Sequence, residues 1–196
     1  MRSINTSFCW IWLLTALMAC TAWPGGAVRT WVDARTAVAV TAQARPLVLS
    51  REDFPAGVNV RDYAELGVVE VNRSGTRKRY LAVVLWSTVA RTPAELAKLQ
   101  AAFSSITLWA DDQPIALQRS ATTHEAILLS TPVLNLPSPA ASEAYYEVTA
   151  AQLATLAATR RLSLRPGAMV EGESAYTVWR GDPSELKFFL ANLVGN

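Results

Sequence analysis

The sequence predicts an α+β domain that is mostly antiparallel β, either sandwich-like or a curled sheet, with three short helices packed against it. Three patterns carry that expectation. Residues 69–86 read as a long hairpin, two capped helical segments each lead into an alternating strand, and the C-terminus holds an amphipathic helix.

The strands begin at Val28–Val32, Thr36–Ala42 and Pro46–Leu49, where Ala37, Ala39 and Thr41 alternate with Val38 and Val40. Arg51 to Asp62 contains Asp53, Pro55, Gly57 and Asn59 and reads as a loop. In the hairpin, Val69 and Val71 alternate with Glu70 and Asn72, the pattern of a half-buried strand. Arg73-Ser74-Gly75-Thr76 supplies the turn. Tyr80 to Trp86 is apolar on both faces, as a strand covered on both sides should be.

Thr92-Pro93-Ala94-Glu95-Leu96-Ala97-Lys98-Leu99 leads into Ile106-Thr107-Leu108-Trp109. Thr149-Ala150-Ala151-Gln152-Leu153-Ala154-Thr155-Leu156 leads in the same way into Leu162-Ser163-Leu164. Each helix opens with a capping box, in which Thr accepts the third amide and Glu95 or Gln152 reaches back. Pro93 suits a first turn because no amide proton is needed there. Leu96, Leu99 and Phe103 share one face, as do Leu153, Leu156 and Ala157. Asp111-Asp112-Gln113-Pro114 and Pro166-Gly167 read as the turns that follow. A duplicated strand–helix–strand unit and two independently patterned helices both account for this echo. Asp182-Pro183-Ser184-Glu185 then caps a third helix, with Leu186, Phe189, Leu190 and Leu193 on its docking face. Ser130 to Ala144 carries Pro132, Pro137 and Pro139 and reads as a long surface connection where a partner could touch.

The N-terminus fixes an expected compartment. Arg2 is the only charge before the apolar run Phe8–Ala19, which is too short to span a bilayer and ends in a small residue before Cys20. Leu17-Met18-Ala19-Cys20 resembles the lipobox of bacterial lipoprotein signals. That resemblance implies lipidation of Cys20 and a permanent membrane anchor, since several acyl chains hold where one holds marginally. With Thr21 rather than Asp after the cysteine, it also implies the outer membrane, facing the periplasm. The organisation is then a signal peptide over 1–19, a lipidated tether over 20–27 with Pro24-Gly25-Gly26, and a single domain over 28–196.

Composition agrees. Loss of residues 1–19 lowers the formal net charge from +2 to +1, which offers no electrostatic case for nucleic acid. Cys9 leaves with the signal and Cys20 is lipidated, so the mature domain would hold no disulfide. The fold must rest on packing.

Catalytic motifs are sparse. His124 is the sole histidine, which rules out a multi-histidine metal site. A hydrolase would need His124 as base, yet Gly172-Glu173-Ser174-Ala175-Tyr176 lacks the final glycine of a nucleophile elbow. No phosphate-cradling glycine motif occurs, and Asp111-Asp112 suits a turn better than acid–base work. No enzyme and no cofactor is expected. Two binding features stand out. Arg73, Arg77, Lys78 and Arg79 crowd the hairpin tip, where they could meet lipid phosphates or simply guard the sheet edge. Tyr146, Tyr176 and Trp179 could stack on a sugar; because Tyr145 and Tyr146 are adjacent, at least one of the two must face the core.

Trp31-Val32-Asp33, Arg61-Asp62-Tyr63, Val71-Asn72-Arg73-Ser74-Gly75 and Leu85-Trp86-Ser87-Thr88 resemble uncharacterised proteobacterial envelope lipoproteins. The resemblance covers the first half of the mature chain and implies an address rather than an activity. The expected function is a noncatalytic envelope lipoprotein that supports assembly or a protein complex at the outer membrane, its protein partner unidentified. A periplasmic module for a glycan or lipid is the alternative, and a hydrolase built on His124 a distant second.

Overall fold

The hairpin foreseen at 69–86 is part of a longer one, whose first strand begins at Val60. A computed structural model describes residues 28–53, 60–168 and 174–194; the signal, Cys20 and the tether lie outside the described residues. The strands are β1 (Val28–Val32), β2 (Ala39–Gln43), β3 (Leu47–Asp53), β4 (Val60–Arg73) and β5 (Thr76–Ser87). After helix α1 (Pro93–Ala102) come β6 (Ser105–Ala110) and β7 (Gln113–Ala121). A single 3-10 turn (Glu125–Ile127) precedes β8 (Ser142–Glu147). Helix α2 (Ala150–Ala158), β9 (Leu162–Pro166), β10 (Tyr176–Arg180) and helix α3 (Glu185–Val194) complete the chain. The α+β class and its curled antiparallel sheet with three helices are as the sequence predicts.

The sheet curls until it closes. Every pairing among the described residues is antiparallel, and the order β3-β10-β9-β6-β7-β8-β5 returns to β3 through β4, which pairs with β5 from Asp62 to Arg73. One edge of β4 carries β5. The other is divided between β3, opposite Val60–Leu66, and β2, opposite Val69–Asn72. The β1–β2 ribbon therefore leaves the barrel as a flap, with β1 at its rim. The turn that joins β4 to β5 is a two-residue loop with Ser74 (φ 51°) and Gly75 (φ 89°) both left-handed, the geometry that matches strand twist.

Alternation then sorts the side chains into two cores. Ala64, Leu66 and Val68 of β4 and Leu81, Val83 and Leu85 of β5 point inward, together with Ile106, Leu108, Leu117, Tyr146 and Leu164. Leu153 and Leu156 of α2 and Leu186 and Phe189 of α3 join this interior from the hairpin end. An interior of this kind is filled by side chains. The void left among Leu47, Leu81, Leu108, Leu156 and Leu186 is only about 10 Å³. Outward positions on β6, β7, β9 and β10 include Thr107, Gln118, Ser163, Arg165 and Thr177, half-buried or exposed, with the exposed Trp109 and Trp179 among them. That is the reverse of a barrel whose outer wall meets lipid.

The second core lies outside the barrel. Val69 and Val71 of β4, Tyr80, Ala82 and Val84 of β5, Tyr145 of β8 and Val38, Val40 and Ala42 pack beneath the segment between β7 and β8. Ile127, Leu129, Val133 and Leu134 of that segment are buried there. The expectation of a long surface connection over Ser130–Ala144 is thereby corrected: the segment is a strap over apolar sheet, and Ser142–Ala144 already belong to β8. Leu134 lies so close to the backbone that a Cβ on Gly67 would come within 2.7 Å of its Cδ2. Asp33 ties the strap down. Its carboxylate accepts the N–H and hydroxyl of Ser130, both at 2.7 Å, and the N–H groups of Arg35 and Thr36.

Several local expectations change for physical reasons. β4 is buried on both faces, not half-buried, because the strap covers what would otherwise be its wet side. Arg51–Asp53 and Val60–Asp62 are strand rather than loop, while 54–59 lie outside the described residues. β2 starts at Ala39, since Asp33–Val38 forms a turn with Ala37 left-handed at φ 55°. Gln113 and Pro114 are part of β7, leaving Asp111-Asp112 as the whole turn. Both capping boxes are present. Their helices differ, however: α2 buries Leu153, Leu156 and Ala157, whereas no residue of α1 is fully buried; Leu99 and Ala102 pack partly buried against the core, and Phe103, just past the helix end, enters it.

Two outcomes are expected. Leu156→Ala should cost about 2–5 kcal/mol in urea unfolding, because a filled interior cannot collapse around the gap, whereas Leu96→Ala, at a half-buried position of α1, should cost under about 1 kcal/mol. The second concerns acid. Bonds from the Ser130 amide, then its hydroxyl, hold the Asp33 carboxyl well below the usual carboxylate range, against burial. A depressed pKa stabilises the fold above the unfolded value of about 3.9 and is lost as pH falls below it. Protection of the Ser130 amide from hydrogen exchange should therefore decline below about pH 4, and Asp33→Asn should remove it at neutral pH.

Candidate functional site

Three of the four basic residues at the tip pair with two carboxylates of its own sheet. Arg79 Nε lies 2.7 Å from Glu70 Oε2 and Arg77 NH1 lies 3.9 Å from Glu70 Oε1. Lys78 Nζ is 3.6 Å from Glu147 across the β5–β8 pair. Glu70 is buried, so its guanidinium partners are what permit a charge there. Arg73 remains exposed at the turn.

The aromatic trio separates. Tyr146 is fully buried, and its hydroxyl donates to the carbonyl of Phe103 at 2.6 Å. Tyr176 is also fully buried, edge-on to Phe103 and beneath the Arg51 guanidinium. Neither ring can reach a ligand, which corrects the stacking expectation for both. The adjacent Tyr145 is buried as well: the strap covers one face of β8 and the barrel interior the other. Burial raises the Tyr145 and Tyr146 hydroxyls above the usual phenol range. Trp179 alone is exposed, at 48 %, with Arg180 over its ring and its edge toward Tyr63, which stacks on Trp86 at 4.0 Å.

His124 is a structural tie. Its Nδ1 is 3.1 Å from Glu143 and its Nε2 is 3.1 Å from Glu125, and Glu143 also accepts the Tyr145 hydroxyl at 2.6 Å. Both ring nitrogens face carboxylates, so neither is left to activate a hydroxyl nucleophile. The arrangement anchors the start of the strap to β8. Gly172 and Glu173 lie outside the described residues.

A cleft of about 730 Å³ lies on the outer wall, at the hairpin end, across β6, β9 and β10; a smaller concavity of about 330 Å³ lies among Glu52, Val60, Arg61, Tyr63 and Thr88. Trp109 stands opposite Ser163 in register, and Ser163 opposite Thr177. These three outward side chains form one row across the strands, spaced by roughly 4.8 Å per strand. The rim comes from the Asp111-Asp112 turn, Arg160-Arg161 and Gly181–Pro183. It is held rigidly. The Asp111 N–H donates to Arg161 O at 2.8 Å, and its carboxylate accepts the N–H groups of Arg160 and Arg161 at 2.9–3.3 Å. Burial pushes the Asp111 carboxyl up, but those amides and the Thr159 hydroxyl outweigh it and leave the group below the usual range. Asp182 accepts the Ser184 amide at 2.7 Å, which lowers its carboxyl as well and seats the start of α3. On the opposite rim Asp112 is 93 % exposed and Arg161 79 %.

Sequence reasoning missed this site because four separate segments build it. One signal was nonetheless visible: in Ile106-Thr107-Leu108-Trp109 the apolar pair alternates inward, leaving an indole on the polar face. Among the described residues no group of three His, Cys, Asp or Glu is placed to hold a metal ion, and no helix is long and apolar enough to cross a membrane.

No protein-family model, curated protein or solved structure matches this chain.

The charge pairing at the hairpin tip is testable. Glu70→Gln should leave Arg79 without its closest carboxylate, lower stability by about 1–3 kcal/mol and raise retention on anionic vesicles. Unchanged stability would mean that the pair is not formed.

Proposed function

We propose that this chain is a bacterial envelope lipoprotein, noncatalytic, held through a lipidated Cys20 at the outer membrane on its periplasmic side, where it supports assembly or a protein complex. The observation that carries this reading is the lipobox-like Leu17-Met18-Ala19-Cys20 a few residues before a barrel with polar outward positions. Such a domain is suited to being held beside a bilayer rather than within it. Thr21–Ala27 separate Cys20 from β1, so the barrel would sit within roughly 28 Å of the lipid surface. The hairpin tip, α2 and α3 share one end of the barrel, and Arg73 there is free to meet lipid phosphates.

The noncatalytic reading draws on the side chains themselves. His124 is engaged at both nitrogens, Asp111 is taken up by backbone amides, and among the described residues the leucines of the barrel interior leave a void of only about 10 Å³. A lipid carrier would need an empty interior. The outer wall is then where a partner would be met, with Trp109 and Trp179 exposed on it.

Membrane fractionation tests the tether: the native chain should sediment with outer membranes and Cys20→Ser should move to the soluble periplasmic fraction. Continued sedimentation of Cys20→Ser would contradict it. Cross-linking in intact cells should yield a defined protein complex that Trp179→Ala diminishes; a chain that stays solitary would count against the partner.

A further inference from the structure

We propose that the outer-wall cleft between the Asp111-Asp112 turn and the start of α3 is a carbohydrate-binding site, with Trp109 as the stacking platform. The inference stands apart from the lipid tether, since the cleft is complete in the barrel itself.

The shape comes first. At about 730 Å³ the cleft lies in the range of small-molecule sites, and it is open rather than enclosed. Its rim is preformed by the hydrogen bonds between Asp111 and the Arg160-Arg161 turn, so little ordering would oppose binding.

The chemistry of the lining selects the ligand. Trp109 is 36 % exposed in the wall of the concavity, at the β6 end of the Trp109–Ser163–Thr177 row, and offers a flat apolar face. In the same row Ser163 and Thr177 present hydroxyls that both donate and accept. Around them stand Arg160 and Arg161 as donors and Asp112 and Asp182 as acceptors. The charges nearly balance, which disfavours a strongly anionic ligand such as a phosphate or nucleic acid. A purely apolar ligand would strip water from Arg160 and Asp112 with no replacement. A sugar ring meets every requirement: its C–H face lies on the indole, and its neighbouring hydroxyls bridge Asp and Arg with paired hydrogen bonds. Trp179 takes no part, because it turns away from the cleft toward Tyr63.

The test uses the full-length lipidated chain in phospholipid nanodiscs with ¹⁵N-labelled tryptophan, titrated with chitotriose, maltotriose and cellotriose. At least one should shift the Trp109 indole signal saturably below about 10 mM. Trp109→Ala and Arg160→Ala should each weaken that binding by about tenfold or more, while Trp179→Ala leaves it unchanged. Arg160 has an exposed side chain and joins the rim through its backbone, so Arg160→Ala should keep the native melting temperature and remain informative even if Trp109→Ala does not fold. No shift with any of the three sugars, a shift at Trp179 instead of Trp109, or binding unaffected by Arg160→Ala would each overturn the proposal. Retention in the nanodisc reads the tether separately, so the two readings can fail independently.

Discussion

Everything in this fold depends on the pairing of β4 with β5, from Asp62 opposite Ser87 to Arg73 opposite Thr76. The pair is apolar on both faces and so must be covered twice. One face forms the wall of a closed barrel, whose interior α2 and α3 complete. The other is covered by the β1–β2 flap and by the strap between β7 and β8. Neither layer could hold alone: the barrel would expose Val69, Val71 and Val84 without the strap, and the strap has no other apolar surface to lie on. Asp33 and His124 fasten that strap near its middle and its start, with hydrogen bonds that cross from one sheet element to another.

A filled interior moves function to the outside. Charged groups that might have done chemistry are committed to holding the architecture. Arg51 and Arg91 converge on the buried Asp62 of β4, Glu70 steadies the basic tip, and Asp111 latches one turn to another. The outer wall at the hairpin end is different. There, exposed donors, acceptors and an indole surround a concavity that the fold itself does not need.

How much of this was readable follows sequence distance. The hairpin, the Ser74-Gly75 turn, the two capping boxes and the α3 stripe were legible because each rests on residues within a few positions of one another. Closure of the sheet was not, since β10 joins β3 across most of the chain, Thr177 opposite Ser50, and no local pattern encodes that meeting. The same cause hid the role of Val133 and Leu134, apolar residues within a proline-rich segment whose partners lie on β4 and β5. It also misassigned Tyr146 and Tyr176, read as rings that could stack on a sugar, whose faces the covering elements bury. The cleft was beyond reach as a whole, although Trp109 on the polar side of its strand marked the spot.

Closure of the barrel is the claim on which the rest stands, and β10 is the strand that closes it, five residues between β3 and β9. Nuclear Overhauser contacts across that strand test it most directly. Thr177 should show cross-strand contacts both to Ser50 of β3 and to Ser163 of β9, with protected amides on each side. Contacts to one neighbour only, with rapid amide exchange along the other edge, would mean an open sheet and an interior accessible to solvent.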